Sequence, residues 1–214
     1  MSSLLRETEQ SVEGRVVRFA ERPITFDHFI DLAEGLDVEL VDGVVVEKAM
    51  IQLDHELCSA WLYQVVGPYV KRRRLGIMLG SRIMVAADEF GGRMPDLLFV
   101  RQDRLDIVRQ KAVYGAPDLV IEIVSPNDRP SDLRALEADY IRLGVPEIIF
   151  IDQKKETVRI VRRREDGYVE EIIEAGPVEF ETIAGIRLDA ACLLREPRPD
   201  VYDTLTHLLT SDGA

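Results

Sequence analysis

The segment that most constrains the fold is an apolar run that contains a single glutamate. Leu119-Val120-Ile121-Glu122-Ile123-Val124 is apolar at both odd and even positions apart from that residue. A strand with two apolar faces belongs in the middle of a sheet that is covered on both sides. A carboxylate there is costly unless it is paired, protonated or bound to a cation. Glu122 is therefore the most informative residue in the sequence.

The patterns on either side of this run predict a mixed α/β fold. Helical spacing of apolar residues predicts helices over 54–74, 131–143 and 201–209, and a short helix from an N-cap at Thr25 to Gly35. Ser131 is the expected N-cap of the second long helix, and Pro68 predicts a kink or pause near Gly67 in the first. Strands are expected at 77–87, 97–101, 119–124, 148–152, 157–163 and 168–173, with a shorter pair around 178–188.

A tight hairpin is predicted ahead of these elements. Two β-branched segments, 38–41 and 44–47, flank Asp42-Gly43. Asp-Gly favours a two-residue primed turn, because both central residues must tolerate positive φ. Residues 1–22 are polar and weakly patterned, so we interpret them as an N-terminal arm, and 23–214 as a single domain.

The composition narrows the function. No apolar run approaches the roughly 20 residues that a membrane span needs, and no secretory signal is recognisable, so a cytoplasmic protein is expected. Cys58 and Cys192 are the only cysteines, too few for a disulfide framework or a cysteine zinc site. A Gly-rich phosphate loop, a His-Glu-x-x-His motif, a nucleophile elbow and a Cys-x-x-Cys motif are all missing, which removes the main competing enzyme classes.

The charge balance argues against broad nucleic-acid binding. With 27 basic and 39 acidic residues the net charge is −12. Phosphate binding depends on Lys and Arg, so only a local basic track is compatible with this balance. The runs 71–74 and 162–164 are candidates for such a track, although most runs of this kind are solvated faces.

A second acid completes a candidate metal site. Asp96 follows Pro95 at the head of the predicted strand that precedes the one bearing Glu122. If the two strands are neighbours, both carboxylates can converge on one hard cation, which prefers oxygen ligands. Such a cation polarises a phosphodiester and lowers the pKa of an attacking water. The alternative is that Asp96 is a turn acid and Glu122 is salt-bridged. We expect the metal site, on adjacent strands, with the helices 54–74 and 131–143 packed against their sheet.

Three segments around these acids resemble a known family. Residues 93–100 read RMPDLLFV, 115–126 read GAPDLVIEIVSP and 140–147 read YIRLGVPE. They resemble the Uma2 family of small bacterial proteins, in the PD-(D/E)XK nuclease superfamily, and APDLVIEIVSP is the most specific part. The likeness runs from the predicted hairpin through Asp152. It implies a restriction-endonuclease-like core sheet flanked by helices, with extra β-hairpins at both ends.

The resemblance also implies a ligand set and exposes a departure. Asp96, Glu122 and the carbonyl of Ile123 would hold Mg²⁺ or Mn²⁺. The lysine of the superfamily would stand at Val124, or in this family at Leu136, and both positions are apolar here. A lysine would orient the water and stabilise developing negative charge, so its absence puts catalysis in doubt. Arg134, Arg142 and Lys111 are the nearby substitutes, and the sequence favours none of them.

Three further residues have weaker claims on the site. Glu39, in the predicted hairpin, matches the family pattern and would add a catalytic carboxylate. His55 opens the long helix, where a histidine is more often a cap or a packing residue than a catalyst. Asp118 shares a strand face with Glu122 but lies about 13 Å away along it. It is expected to cap the strand entry.

Three functions remain open. The first is a divalent-metal-dependent endonuclease that hydrolyses DNA, alone or as a homodimer, with activity weakened by the missing lysine. The second is a degenerate relative that keeps the fold and serves as a binding or partner module, which the net charge and the apolar residues at Val124 and Leu136 favour. The third is a metal-dependent hydrolase of another phosphoester.

Overall fold

The computed structural model describes residues 9–12, 15–18, 23–33, 36–48, 52–80 and 82–211. The helices are α1 (Phe26–Leu32), α2 (Leu53–Arg73), α3 (Pro130–Leu143), α4 (Ala190–Leu194) and α5 (Val201–Ser211), with a 3₁₀ helix at Gln102–Ile107. The strands are β1 (Glu9–Val12), β2 (Arg15–Arg18), β3 (Val38–Val41), β4 (Val44–Glu47), β5 (Gly76–Leu79), β6 (Met84–Asp88), β7 (Gly91–Arg93), β8 (Leu97–Arg101), β9 (Ala112–Tyr114), β10 (Leu119–Ile123), β11 (Glu147–Asp152), β12 (Thr157–Arg164), β13 (Gly167–Ile173), β14 (Pro177–Glu179) and β15 (Arg187–Asp189). None of the helices in these ranges is long and apolar enough to cross a membrane.

The apolar run around Glu122 forms a central strand of a six-stranded mixed sheet. The strand order is β13-β12-β11-β10-β8-β5, and β10 is parallel to β11 and antiparallel to β8. Its odd-numbered residues, such as Ile121, pack with α2, and its even-numbered residue Val120 packs with α3. Both faces are therefore covered, as the sequence predicts. Ile121 pairs with Leu97. This confirms that β10, which carries Glu122, and β8, which Asp96 precedes, are neighbouring strands.

A second, seven-stranded sheet carries the predicted hairpin. Its strand order is β1-β2-β4-β3-β7-β6-β9. Asp42 and Gly43 both have positive φ, 50° and 76°, so the predicted turn between β3 and β4 is confirmed. Val85 of this sheet and Leu98 of the six-stranded sheet belong to one buried cluster, which places the two sheets in contact. Two strands of the predicted arm, β1 and β2, extend the edge of this sheet, and the rest of the arm lies outside the described residues.

Several predicted boundaries are wrong for local reasons. The segment 77–87 forms two strands in different sheets, because the chain turns after Gly80, and Arg82 adopts a left-handed φ of 72°. The helix α3 begins at Pro130 with Arg129 as N-cap, since proline at N1 gives up no helical hydrogen bond. The helix α2 continues through Pro68, so the pause that the sequence allows near Gly67 does not end it. Its buried residues rest on the six-stranded sheet, and such packing supplies most of the stability of a helix.

Other helix ends are set by the backbone. Thr25 is the N-cap of α1, as predicted, although its side chain makes no capping hydrogen bond. The predicted stop at Gly35 lies outside the described residues. The helix α2 ends at a left-handed Arg74, and Gly76, the predicted stop, is the first residue of β5. The short elements β7, β9 and α4 have too few residues to give a periodic signal in the sequence.

Candidate metal and active site

Asp96 lies where the chain passes from one sheet to the other. The strand β7 belongs to the seven-stranded sheet and β8 to the six-stranded sheet, and Met94-Pro95-Asp96 joins them. Pro95 fixes its own φ and favours an extended conformation in the residue before it, which suits a crossing segment. The backbone N–H of Ile123 donates to Asp96 Oδ2 at 2.8 Å. This bond fastens the acid to the end of β10, beside Glu122.

The second acid is held from the α3 face of the sheet. Glu122 is 7% exposed and Asp96 is 5% exposed, so both carboxylates are buried. Tyr140, on α3 and fully buried, donates its hydroxyl to Glu122 Oε1 at 2.5 Å. The sequence signal for this partner is the predicted amphipathic helix, on which Tyr140 follows Leu136 by one turn.

His55 holds Asp96 from the α2 side. Its Nε2 lies 2.9 Å from Asp96 Oδ2, and its Nδ1 is buried without a hydrogen-bond partner. Asp96 Oδ2 and Glu122 Oε1 therefore carry all the hydrogen bonds that the described residues make to these carboxylates. The other oxygen of each acid, Oδ1 and Oε2, accepts none from that part of the chain, so two carboxylate oxygens are available for a ligand.

The two acids have opposite electrostatic environments. Burial raises the pKa of Glu122 well above its usual value, and the charge of Asp96 raises it further. Burial also acts to raise the pKa of Asp96, but the hydrogen bond from His55 and the charge of Lys48 outweigh it and lower that pKa. Asp96 is therefore the stable anion of the pair. Glu122 is the acid whose charged form an added cation would stabilise most.

Lys48 supplies a positive charge that was not predicted from the sequence. It follows β4, and its Nζ donates to the carbonyl of Met94 at 2.7 Å. Burial acts to lower the pKa of Lys48, but the carboxylates of Glu39, Glu122, Asp96 and Asp128 outweigh it and raise that pKa. The ammonium is therefore retained at neutral pH, within the field of both buried acids.

A signal for Lys48 was present in the hairpin. The tight turn fixes the register, in which Glu39 pairs with Val46. Cross-strand partners share a face of a sheet, and residues two apart on a strand share it too. Lys48 is two residues beyond Val46, so Glu39 and Lys48 are expected on one face. Their Oε1 and Nζ atoms are 3.9 Å apart.

Glu39 belongs to the same cluster but has both oxygens engaged. Its Oε1 accepts from the backbone N–H of Met94 at 3.0 Å, and its Oε2 accepts from Arg93 Nη1 at 3.1 Å. Arg93, which is buried, also forms an ion pair with Asp139 of α3. In this arrangement Glu39 contacts the Met94 backbone and adds negative charge beside Lys48.

The other residues considered from the sequence lie elsewhere or are apolar lining. Val124 and Leu136 are half-buried against the cluster that contains Tyr140.

The charged residues considered from the sequence lie away from the two acids. Arg142 forms ion pairs with Asp88 and Asp139, and Lys111 forms an ion pair with Asp31 on the surface. Asp118 accepts from the backbone of Arg101 and from Arg104 at the opposite end of β10. Arg134 is exposed on α3.

The available donors suit a small hard cation. Among the described residues, no three His, Cys, Asp or Glu side chains form a group that could hold a metal ion by themselves. An ion between Asp96 and Glu122 would thus keep several waters. Mg²⁺ binds in this way, through one or two carboxylates with water completing its shell.

Comparison with known proteins finds a matching family model and a similar solved structure. A family model described as "Uma2: Putative restriction endonuclease" matches residues 26–191. The fold is similar to the crystal structure of "a putative nuclease belonging to DUF820" from Anabaena variabilis ATCC 29413. That similarity has a TM-score of 0.64 at 22% identity and covers 87% of this chain and 99% of the other, so it supports the fold. A search of curated proteins gives no match.

Proposed function

Because the chain belongs to the Uma2 family, we propose that it is a divalent-metal-dependent nuclease of the PD-(D/E)XK type, which hydrolyses phosphodiester bonds in DNA. The observation that carries the proposal is the pair of buried carboxylates, each with one oxygen that no described donor reaches, beside the ammonium of Lys48. A buried acid pair of this kind is costly without a cation, which argues for a binding role.

In the proposed site, Asp96, Glu122 and the carbonyl of Ile123 hold Mg²⁺ or Mn²⁺. When bound, such an ion polarises the scissile phosphate and lowers the pKa of a bound water. Asp96 contributes a permanent negative charge, since its pKa is lowered. Glu122, whose pKa is raised, must release its proton before it can bind the ion.

Lys48 takes the role that a lysine at Val124 or Leu136 would have. A fixed cation near the reacting phosphate stabilises the negative charge that develops on it, and removing such a group typically costs about 100- to 1,000-fold in rate. The carbonyl of Met94 orients the Lys48 ammonium through a 2.7 Å hydrogen bond. Glu39 assists by holding the Met94 backbone and by keeping Lys48 charged.

The test is cleavage of supercoiled plasmid and single-stranded DNA with Mn²⁺ or Mg²⁺. We expect Asp96→Ala and Glu122→Gln to abolish cleavage, and Lys48→Met to slow it about 100-fold or more. The matched control is Lys111→Met, because Lys111 forms a surface ion pair with Asp31 and should not affect the rate.

Three outcomes would contradict this assignment. If the protein binds Mn²⁺ but cleaves neither DNA, it is a degenerate binding module. Cleavage of another phosphoester alone would indicate a hydrolase of a different class. Full activity of Lys48→Met would show that a different group stabilises the developing charge.

A further inference from the structure

In each acid of the candidate site, one carboxylate oxygen is held by hydrogen bonds. We call the helix side chain that holds it, His55 for Asp96 and Tyr140 for Glu122, a lock. Asp96 Oδ2 accepts from the Ile123 backbone at 2.8 Å and contacts His55 Nε2 at 2.9 Å. Glu122 Oε1 accepts from the Tyr140 hydroxyl at 2.5 Å. Asp96 Oδ2 has both of its lone pairs engaged, and the Tyr140 hydrogen bond turns Glu122 Oε1 towards α3, so each acid offers mainly its other oxygen to a ligand. The locks come from opposite faces of the sheet, His55 from α2 and Tyr140 from α3.

We infer that His55 and Tyr140 determine which divalent ion the site accepts, by limiting Asp96 and Glu122 to one ligand oxygen each. This inference rests on the proposed metal site. Ca²⁺ takes six to eight oxygens and often binds a carboxylate through both of them, whereas Mg²⁺ requires a compact octahedral shell and keeps several waters. Two single-oxygen carboxylates therefore favour Mg²⁺ and Mn²⁺ over Ca²⁺.

The geometry assigns His55 as a positioning residue and not as a ligand. A carboxylate only accepts hydrogen bonds, so the proton of the imidazole must be on Nε2, facing Asp96. That nitrogen has no lone pair for a metal. The opposite nitrogen, Nδ1, is buried and has no partner among the described residues, so no second bond fixes the ring. Among the described residues, Asp96 is therefore the polar partner that orients the His55 side chain.

Substitutions can remove each lock while the acids remain. Tyr140→Phe deletes the hydroxyl that occupies Glu122 Oε1. His55→Leu removes the donor to Asp96 Oδ2, whereas His55→Gln keeps an N–H at a similar reach. Tyr168→Phe is the matched control for Tyr140→Phe, because the Tyr168 hydroxyl donates to the carbonyl of Val145 and to no acid of the site.

Calorimetric titration with Mn²⁺, Mg²⁺ and Ca²⁺ measures the effect without reference to activity. We expect the ratio of the Ca²⁺ to the Mn²⁺ dissociation constant to fall about ten-fold in Tyr140→Phe and in His55→Leu, the scale typical for losing a group that orients a metal ligand. His55→Gln and Tyr168→Phe should keep the wild-type ratio. Thermal melts of each variant without metal identify any variant that fails to fold. If Tyr140→Phe or His55→Leu fails, the other of these two variants provides the test.

The failures are distinguishable. If the wild-type protein binds no Mn²⁺, or binds it equally well after Asp96→Ala, the proposed metal site itself is wrong. If Mn²⁺ binding requires Asp96 but Tyr140→Phe leaves the Ca²⁺ to Mn²⁺ ratio unchanged, the locks do not select the ion. If His55→Gln loses Mn²⁺ affinity as severely as His55→Leu, the imidazole is a direct ligand and its positioning role is refuted.

Discussion

At the scale of single residues, the carboxyl group of Glu122 governs how the site responds to pH. Burial, together with the charge of Asp96, raises its pKa well above the usual value. Protons and a divalent ion compete for the same oxygens. Mn²⁺ affinity should therefore be constant at pH values above the raised pKa and should fall as the pH decreases through it. Calorimetry across that range checks this, and a flat affinity down to the ordinary pKa of a glutamate would contradict it.

The same carboxyl group affects the stability of the metal-free protein. Its pKa is higher in the folded chain than in the unfolded chain, so the folded state binds more protons in the window between the two values. Stability then falls as the pH rises through that window. Glu122→Gln, which mimics the protonated acid, should raise the melting temperature in EDTA above the window and leave it unchanged below. A lower melting temperature for Glu122→Gln at alkaline pH would show that the charged form is not destabilising.

Leu136 offers a second position for the cation that we propose Lys48 supplies. It lies on α3 one turn before Tyr140 and packs against the same apolar cluster. In a Lys48→Met background, Leu136→Lys should restore part of the lost cleavage, because Asp96 and Glu122 can stabilise an ammonium at the site. Single-turnover cleavage rates provide the measurement, and the rescue should disappear when Asp96→Ala is added. No rescue by a folded double variant would place Leu136 too far from the reacting phosphate.

At the scale of elements, the hairpin β3–β4 brings Glu39 and Lys48 to the site. Its turn residue Gly43 has a φ of 76°, and an added Cβ would lie 2.5 Å from the Cβ of Pro23. Gly43→Ala should cost more than the roughly 1–2 kcal/mol of left-handed strain alone. Gly176, with a φ of 88° and open space around it, is the control that carries the strain without the clash. Chemical denaturation measures both, and equal losses would show that Pro23 moves aside at no cost.

The elements also show what could be predicted from the sequence and why. Glu122 and Asp96 were identified because a charge within an apolar run and an acid before a strand are local signals. Lys48 was missed, because the hairpin register predicts only that it lies beside Glu39, and its approach to Asp96 and Glu122 depends on the contact between the two sheets. The single strand expected over 77–87 was wrong for a local reason. The residues 77–79 and 84–87 are equally suited to a strand, and only the turn near Arg82 sends them to different sheets.

At the scale of the whole molecule, the six-stranded sheet separates the candidate site from a structural ion-pair network. Glu147, 1% exposed at the start of β11, accepts from Arg162 Nε, from the backbone of Glu181 and from Thr182. The site lies at the other end of the neighbouring parallel strand β10. This network also accounts for the basic run 162–164, one of the two candidates for a basic track, because Arg162 and Arg164 pair with acidic side chains.

Breaking the network should therefore reduce stability without changing metal binding. Glu147→Ala removes the buried partner of Arg162 and the acceptor of the Glu181 and Thr182 backbone N–H groups, a loss of about 1–3 kcal/mol, while Arg162 keeps its pair with Glu171. Glu179→Ala removes only an exposed pair with Arg187 and should cost less than about 1 kcal/mol. Mn²⁺ affinity should be the same in both variants and the wild type. A weaker affinity in folded Glu147→Ala would mean that the two ends of the sheet are coupled.

The division of the site between two sheets has a consequence for its dynamics. Lys48 directly follows β4 of the seven-stranded sheet, whereas Glu122 lies on β10 of the six-stranded sheet. Met94, in the segment that joins the two sheets, accepts a hydrogen bond from Lys48. An ion bound at the proposed site would stabilise the contact between the two sheets by mass action. The amides of β3 and β4 should then exchange with solvent deuterium more slowly once the ion is present, although neither strand supplies a ligand to it. Slower amide exchange in the hairpin of the seven-stranded sheet would thus report that an ion is bound to the carboxylates beside the six-stranded sheet.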